Sequence, residues 1–245
     1  MNAHLKVNNI RTGGGHLGGP PLSQCEMGEK MSDRTRSALV DFYGRDFFIT
    51  SDVLTPRPET EQLIDMVLTL AGKPFLPGVK PPQRKLPKNP KIVDVGTGSG
   101  CIAVTIKKEL PEAEVTAVDI SEKALKIAQK NAAIHDAPIS FIISHLLEKV
   151  KFTPDLIVAN LPYVDATWEW LDKPSLAKED PDLALYAEDG GLALIKELIR
   201  SASALHTPHL ILEADPCQHQ DVVHYAKERG FFLEKASGFM LYFSA

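Results

Sequence analysis

The sequence predicts an α/β protein: a mostly parallel, seven-stranded sheet with helices on both faces and a C-terminal antiparallel strand pair. Three observations carry this. From Lys91 onward, short apolar runs alternate with longer helix-periodic ones, the pattern of successive strand–helix–strand units. The short runs are apolar throughout, as strands covered on both faces are. The last two, Phe231–Lys235 and Met240–Phe243, are separated only by a turn around Ser237-Gly238, which makes them an antiparallel pair.

The elements follow in order. Residues 1–30 hold Gly13-Gly14-Gly15 and Gly18-Gly19-Pro20-Pro21 and read as a disordered N-terminal segment. Residues 31–72 form a second segment, with helical character from Ser32 to Leu39 and a hairpin over Phe42–Ile49 turning near Gly44-Arg45. Pro56 and Pro58 then hold the backbone extended around Arg57. Glu59 or Thr60 opens a helix over Glu61–Leu70, with Leu63, Ile64, Val67 and Leu68 on its apolar face. This stretch reads either as a proline-bounded loop with a helix cap or as a lid over a ligand. Lys73–Pro90 carries six prolines and several lysines and reads as a solvated linker.

Residues 91–245 are the main domain. Lys91–Val95 is its first strand, followed by Gly96-Thr97-Gly98-Ser99-Gly100 and a helix from Cys101. Glu114–Val118 is the second strand and ends in Asp119. Ser121 caps a helix whose buried stripe is Ala124, Leu125, Ala128 and Ala132. Ile139–Ile143 and Asp155–Ala159 are the third and fourth strands, the latter ending in Asn160-Leu161-Pro162-Tyr163. Trp168–Asp189 is polar and irregular. Gly190-Gly191 precede a helix over Leu192–Leu205, His209–Glu213 is the fifth strand, and a helix over Gln218–Arg229 stops at Gly230.

Composition narrows the function classes. The 245 residues are 44% hydrophobic and 24% charged, ordinary for a soluble globular chain. A formal net charge of −5 argues against a generic nucleic-acid or membrane binder. Cys25, Cys101 and Cys217 are far apart and match no metal-ligand or disulfide spacing, so no metal is expected and a reducing cytoplasm is the simple location. No apolar run has membrane-span length, and no signal-peptide core is present.

Chemistry concentrates at two strand ends. A buried strand, a glycine turn and a helix start make a ligand cradle, because glycines admit close backbone approach and first-turn N–H groups bind polar atoms. Asp119 stands where an acid accepts hydrogen bonds from ribose hydroxyls. The glycine spacing is G-x-G-x-G rather than the dinucleotide G-x-G-x-x-G, with Cys101 at the third-glycine position of that fingerprint. Ligands of open α/β sheets sit at the carboxyl ends of strands, so Asn160–Tyr163 should face the same crevice.

From about Phe42 to its end the chain resembles the release-factor glutamine N5-methyltransferases. The resemblance is carried by Pro56-Arg57-Pro58-Glu59-Thr60-Glu61, Val93-Asp94-Val95-Gly96-Thr97-Gly98-Ser99-Gly100, Ala117-Val118-Asp119, Asn160-x-Pro162-Tyr163, Asp189-Gly190-Gly191-Leu192 and Leu212-Glu213. It implies a Rossmann-like class I fold, S-adenosylmethionine as cofactor, and a peptide chain release factor as protein substrate of a monomeric enzyme. It implies that Gly96, Thr97, Gly98, Ser99, Gly100 and Asp119 bind the cofactor, with Arg57 and Glu59 in a covering loop. Asn160 is shared between cofactor and substrate. A planar amide nitrogen is a poor nucleophile, so a site must hold its NH2 in line with the sulfonium methyl. The Asn160 side-chain oxygen can accept one N–H and the carbonyl of Leu161 the other. Pro162 keeps residue 161 extended, and Tyr163 can lie flat on the amide. Asn160, Pro162 and Tyr163 are thus the catalytic candidates, and Asn160–Tyr163 the substrate-binding ones.

Four departures stand against that resemblance. Leu161 occupies a position where the family usually has Pro. Asn-Leu-Pro-Tyr is also the form found in rRNA adenine dimethyltransferases, which keeps a nucleic-acid adenine N6-methyltransferase as the alternative. Ser144-His145-Leu146 replaces a usual Ser-Asp-aromatic, leaving His145 either a substitute donor to adenine or an ordinary surface histidine. The family's N-terminal helical domain is reduced, and Lys73–Pro90 is a long insertion. A non-catalytic protein retaining the fold is a third reading.

Overall fold

The computed structural model describes residues 37–73, 85–168 and 180–245. The disorder expected of residues 1–30 lies outside them. So does most of the linker, and so does the first part of the helix expected from Ser32.

The first described element is a hairpin, β1 (Ser37–Phe42) and β2 (Arg45–Thr50), paired antiparallel from Ser37↔Thr50 to Phe42↔Arg45. It replaces the helix expected to reach Leu39: Ser37–Leu39 are strand, because they pair with Phe48–Thr50. The turn is Tyr43-Gly44, one place earlier than expected, with both residues at positive φ as a two-residue hairpin turn requires. The Tyr43 N–H and O–H are held by Glu61 and Asp65, which fixes the turn on helix α1 (Glu61–Leu70). The apolar face expected of α1 is buried, and Met66 and Leu70 join it. The end of the linker is not solvated: Leu86 is buried, and its N–H donates to the Leu70 carbonyl.

The main domain runs β3 (Lys91–Val95), α2 (Cys101–Glu109), β4 (Glu114–Asp119), α3 (Glu122–Ile134), β5 (Ser140–Ile143), β6 (Leu156–Ala159), α4 (Ala193–Ala204), β7 (His209–Glu213), α5 (His219–Glu228), β8 (Phe232–Ser237) and β9 (Met240–Ser244). The sheet order is β5-β4-β3-β6-β7-β9-β8. The first five strands pair parallel; β9 pairs antiparallel with both β7 and β8. Element boundaries agree with the sequence to within a residue or two, the ordinary uncertainty of fraying ends.

Alternation along the strands supplies two cores. Ile92, Val115, Leu156 and Ile211 face α1 and α2; Val93, Val118, Ile157 and Leu210 face α4 and α5. Strands apolar on both faces are what such a sheet needs. The order reverses at β3, whose neighbours β4 and β6 lie on opposite sides, so the crevice for a ligand opens at the carboxyl end of β3. No helix among the described residues is long and apolar enough to cross a membrane.

Candidate functional site

The cradle begins where β3 ends. The N–H groups of Gly96 and Thr97 both donate to the Val118 carbonyl, at 2.8 and 3.0 Å, so the turn is fastened to β4. Two glycines are required sterically. A Cβ on Gly96 would lie 2.8 Å from Leu161 Cδ2, and one on Gly100 2.9 Å from the Ala128 Cβ. Both have φ in the left-handed region, 74° and 80°, where side chains are strained. Gly100 is the residue before α2, so this close approach lets α2 and α3 pack while the helix start faces the crevice.

Asp94 locks the turn from behind. Its Oδ2 accepts from the Thr97 hydroxyl at 2.6 Å and from the Ala103 N–H at 3.2 Å. It is wholly buried, its Oδ1 makes no hydrogen bond, and desolvation pushes its carboxyl up to about 7. Asn131 on α3 does the same from the side: its Nδ2 donates to the carbonyls of Ser99 and Phe48, and its Oδ1 accepts the Phe48 N–H. The hairpin and the glycine turn thus share one buried amide.

Asp119 ends β4 at the mouth of the cradle. Its Oδ2 accepts the Gly98 N–H at 2.9 Å and its Oδ1 the Ser121 N–H at 2.8 Å. Burial raises its pKa, and the two N–H donors oppose that rise. Each oxygen keeps a further lone pair for a hydroxyl donor.

Asn160-Leu161-Pro162-Tyr163 follows β6 on the other side of β3. Asn160 Nδ2 donates to Thr60 Oγ1 at 3.1 Å. Thr60 Oγ1 donates to Glu213 Oε2 at 2.6 Å, and the Tyr163 hydroxyl donates to Glu213 Oε1 at 3.1 Å. Burial, with a smaller push from the Glu59 charge, raises the Glu213 carboxyl, and side-chain hydrogen bonds from Thr60, Tyr163 and Asn160 oppose that. Burial and the Glu213 charge beside it push the Tyr163 phenol well above its ordinary range. The Tyr163 carbonyl accepts from Gln218 Nε2 at 2.8 Å. Gly191 packs directly on that carbonyl: a Cβ there would lie 2.0 Å from the oxygen and 2.5 Å from Gln218 Nε2.

Between these parts lies a cavity of about 360 Å³. Gly96–Ser99, Asp119 and Asn160–Pro162 line it, together with Val53–Leu54, Pro56, Arg57, Thr60, Ile120, Ser144–Leu146, Pro181, Leu183 and Ala184. Ile120 and Leu183 are more than half exposed, apolar surface that a flat ring could cover. Arg57 donates to the buried Asp180 carboxylate at 2.6 Å, and Asp180 also holds the N–H and hydroxyl of Thr55, each at 2.9 Å. The proline segment is therefore latched across the cavity to a segment more than a hundred residues later. Glycine-shaped backbone, a ribose-ready acid and apolar walls fit a nucleoside ligand.

Of the residues singled out in the sequence, the structure brings Arg57, Gly96, Thr97, Gly98, Ser99, Asp119, Asn160, Leu161 and Pro162 to this cavity. Gly100 stands behind the turn. Tyr163 lies beside the cavity, tethered to Glu213, and is not among its lining residues. Glu59 is exposed and does not line it either. Leu161 contributes more than a carbonyl: its buried side chain fills the space beside Gly96. His145 is not a free surface histidine; it lines the cavity, with Nε2 3.1 Å from Glu197 Oε2. Sequence reasoning missed Thr60, Glu213, Asp94, Asn131, Asp180 and Gln218 as parts of the site. An acid inside the apolar run of β3 and an asparagine on the buried stripe of α3 were available signals; Asp180 and Gln218 had none. Among the described residues no three His, Cys, Asp or Glu side chains cluster as metal ligands would.

Residues 82–171 match the family described as Methyltransferase small domain. The chain is 42% identical over 160 residues to a release factor glutamine methyltransferase of Koribacter versatilis, covering 64% of this chain and 52% of that protein. It is 39% identical over 150 residues to one of Flavobacterium psychrophilum, covering 60% and 49%. The chain spans about half the length of the curated relatives it matches. Among solved structures, the T. Thermophilus 16S rRNA N2 G1207 methyltransferase, in complex with AdoMet and guanosine, superposes with a TM-score of 0.58 at 16% identity. That alignment covers 85% of this chain and 50% of that one. At that identity the likeness concerns the fold alone, which is that of Rossmann-like methyltransferases.

Proposed function

We propose, from its 39–42% identity over about half the length of release factor glutamine methyltransferases, that this chain methylates an amide. It transfers a methyl group from S-adenosylmethionine to the side-chain N5 of a glutamine in a peptide chain release factor, in the cytoplasm. The observation that carries this reading is the placement of Asn160. Its amide stands at the cavity, at the carboxyl end of β6, with its NH2 already engaged by Thr60.

S-adenosylmethionine, when bound, supplies an electrophilic methyl on a positively charged sulfur. The rest falls to this chain. The glycine turn and Asp119 would hold the nucleoside, the carboxylate accepting from ribose hydroxyls. Arg57, latched to Asp180, would close the proline segment over it. Asn160 Oδ1 would accept one N–H of the incoming glutamine amide, so that its NH2 group is held in one plane and aimed at the methyl. Two accepted N–H bonds pull electron density onto a nitrogen whose lone pair is otherwise delocalised into its carbonyl. Catalysis is then positioning and preorganised electrostatics. Glu213 and Glu59 make the acceptor side anionic, which disfavours a glutamate carboxylate where a neutral glutamine amide is accepted.

The test is methyl transfer from labelled S-adenosylmethionine to recombinant release factor, with rRNA and DNA offered beside it. Label on a release-factor glutamine is the expected result. Label on an adenine supports the nucleic-acid alternative instead.

A further inference from the structure

Thr60 occupies the position that would cap α1, yet its hydroxyl makes no capping bond. Thr is favoured there because its oxygen satisfies a free N–H of the first turn. Here the hydroxyl turns from the helix to a buried carboxylate, Glu213, at 2.6 Å. Glu213 is the last residue of β7, and its other oxygen accepts the Tyr163 hydroxyl.

With Glu213 ionised, the number of hydrogens available sets the direction of every bond in this ring. A carboxylate only accepts, and a hydroxyl has one hydrogen to give. Both hydroxyl hydrogens are therefore committed to Glu213. Thr60 Oγ1 is left with lone pairs alone, and Asn160 lies 3.1 Å from it. The amide group of Asn160 can satisfy that contact only with its NH2 end. Its Oδ1 is thereby turned from Thr60 and left for another donor. The orientation rests on the donor inventory, independently of how the two ends of the amide are assigned.

We infer that Thr60 and Glu213 are positioning residues, which fix through one hydroxyl hydrogen the direction of the Asn160 amide and so present Oδ1 to the acceptor N–H. The inference rests on the amide-methylation reading for its kinetic consequence, but its structural half stands apart from it. A capping threonine redirected to a distant carboxylate, and a buried carboxylate on which Thr60, Tyr163 and the Asn160 side chain all converge, share this one explanation. Replacing the carboxylate by an amide would allow a hydrogen to point back at Thr60. The Thr60 hydroxyl would then be free to donate to Oδ1, with Asn160 reversed.

Three variants test this: Thr60→Val, which keeps shape and removes the hydroxyl; Thr60→Ser, which keeps the hydroxyl; and Glu213→Gln. Thermal midpoints establish that each folds. Thr60→Val and Glu213→Gln should lower kcat about tenfold to a hundredfold, the scale of a misplaced rather than deleted polar group. The KM for release factor and the Kd for S-adenosylmethionine should stay within about twofold, and Thr60→Ser should recover most of the rate. A structural role alone would not produce that split with serine rescue. Independently, the Asn160 side-chain NH2 of the 15N-labelled wild type should show a strong NOE to the Thr60 side chain, weakened in Glu213→Gln. Folded Thr60→Val and Glu213→Gln proteins with wild-type kcat, or a wild type lacking that NOE, overturn the inference. A wild type that binds S-adenosylmethionine but methylates no release factor counts against the proposed function, and the NOE then decides the orientation by itself.

Discussion

Gly191→Ala should disable the site although Gly191 lines no part of the cavity. Its φ is 83°, and an L-residue in the left-handed region costs about 1–2 kcal/mol. Its added Cβ would sit 2.0 Å from the Tyr163 carbonyl oxygen, so that backbone must retreat by about 1.4 Å or more to reach ordinary contact. The movement breaks the bond from Gln218 Nε2 to the same oxygen, and a buried polar group left unpaired costs about 1–3 kcal/mol. The sum is about 2–5 kcal/mol, or a Tm lower by about 4–20 °C for a domain of this size. The displaced segment is Asn160–Tyr163 itself, and a misplacement of ~1 Å can cost about a hundredfold in kcat. Gly190→Ala is the matched control. It has a comparable φ of 65°, but its Cβ would meet only Asp165 Oδ2, at 3.9 Å. It bears the conformational cost without the collision. Thermal melts, calorimetry with S-adenosylmethionine and methyl-transfer kinetics on both variants measure the difference. If Gly191→Ala is no more damaging than Gly190→Ala, that backbone contact is not what holds the motif.

The same geometry yields three further expected outcomes. Asp119→Ala should weaken S-adenosylmethionine binding about tenfold to a hundredfold, the worth of a carboxylate hydrogen-bonded to hydroxyls; unchanged calorimetric affinity would show it to be only a strand-end acid. Asp180→Ala removes the partner of Arg57 and two bonds to Thr55, so stopped-flow should show faster cofactor dissociation, and an unchanged off-rate would deny the latch any covering role. Burial lifts the Asp94 carboxyl from its ordinary 3.8 to about 7, so the folded protein holds this proton more tightly than the unfolded chain does. Its contribution to stability therefore declines as pH rises from about 4 to about 7. Urea midpoints of wild type relative to Asp94→Asn should fall across that window, and a difference independent of pH would contradict the assignment.

The sheet was legible because its strands are buried on both faces, and continuous apolar runs such as Ile157–Ala159 announce that directly. Helix α1 was legible from its 3.6-residue stripe. The hairpin strand β1 was not: Ser37–Leu39 has no alternation of its own and becomes strand only through pairing with β2. Leu86 was misjudged because proline-rich composition says nothing of a single side chain returning to the core. At the site, glycines and strand-end polar residues could be read because backbone geometry demands them locally. Thr60 looked like a cap, and its local sequence offers no reason to reject that; the acceptor that redirects its hydroxyl lies more than 150 residues away. Gln218 and Asp180 hold the motif through contacts equally remote in sequence.

The most direct measurement of the central claim is tandem mass spectrometry of recombinant release factor after incubation with the protein and S-adenosylmethionine, for wild type and Asn160→Ala. The expected result is one added methyl group localised to a glutamine side chain by the wild type. With Asn160→Ala, transfer should be slower by about 10²–10³, with cofactor binding little changed. Methylation of an adenine in rRNA or DNA in preference to the release factor would contradict the account. So would an Asn160→Ala protein that transfers the methyl at the wild-type rate.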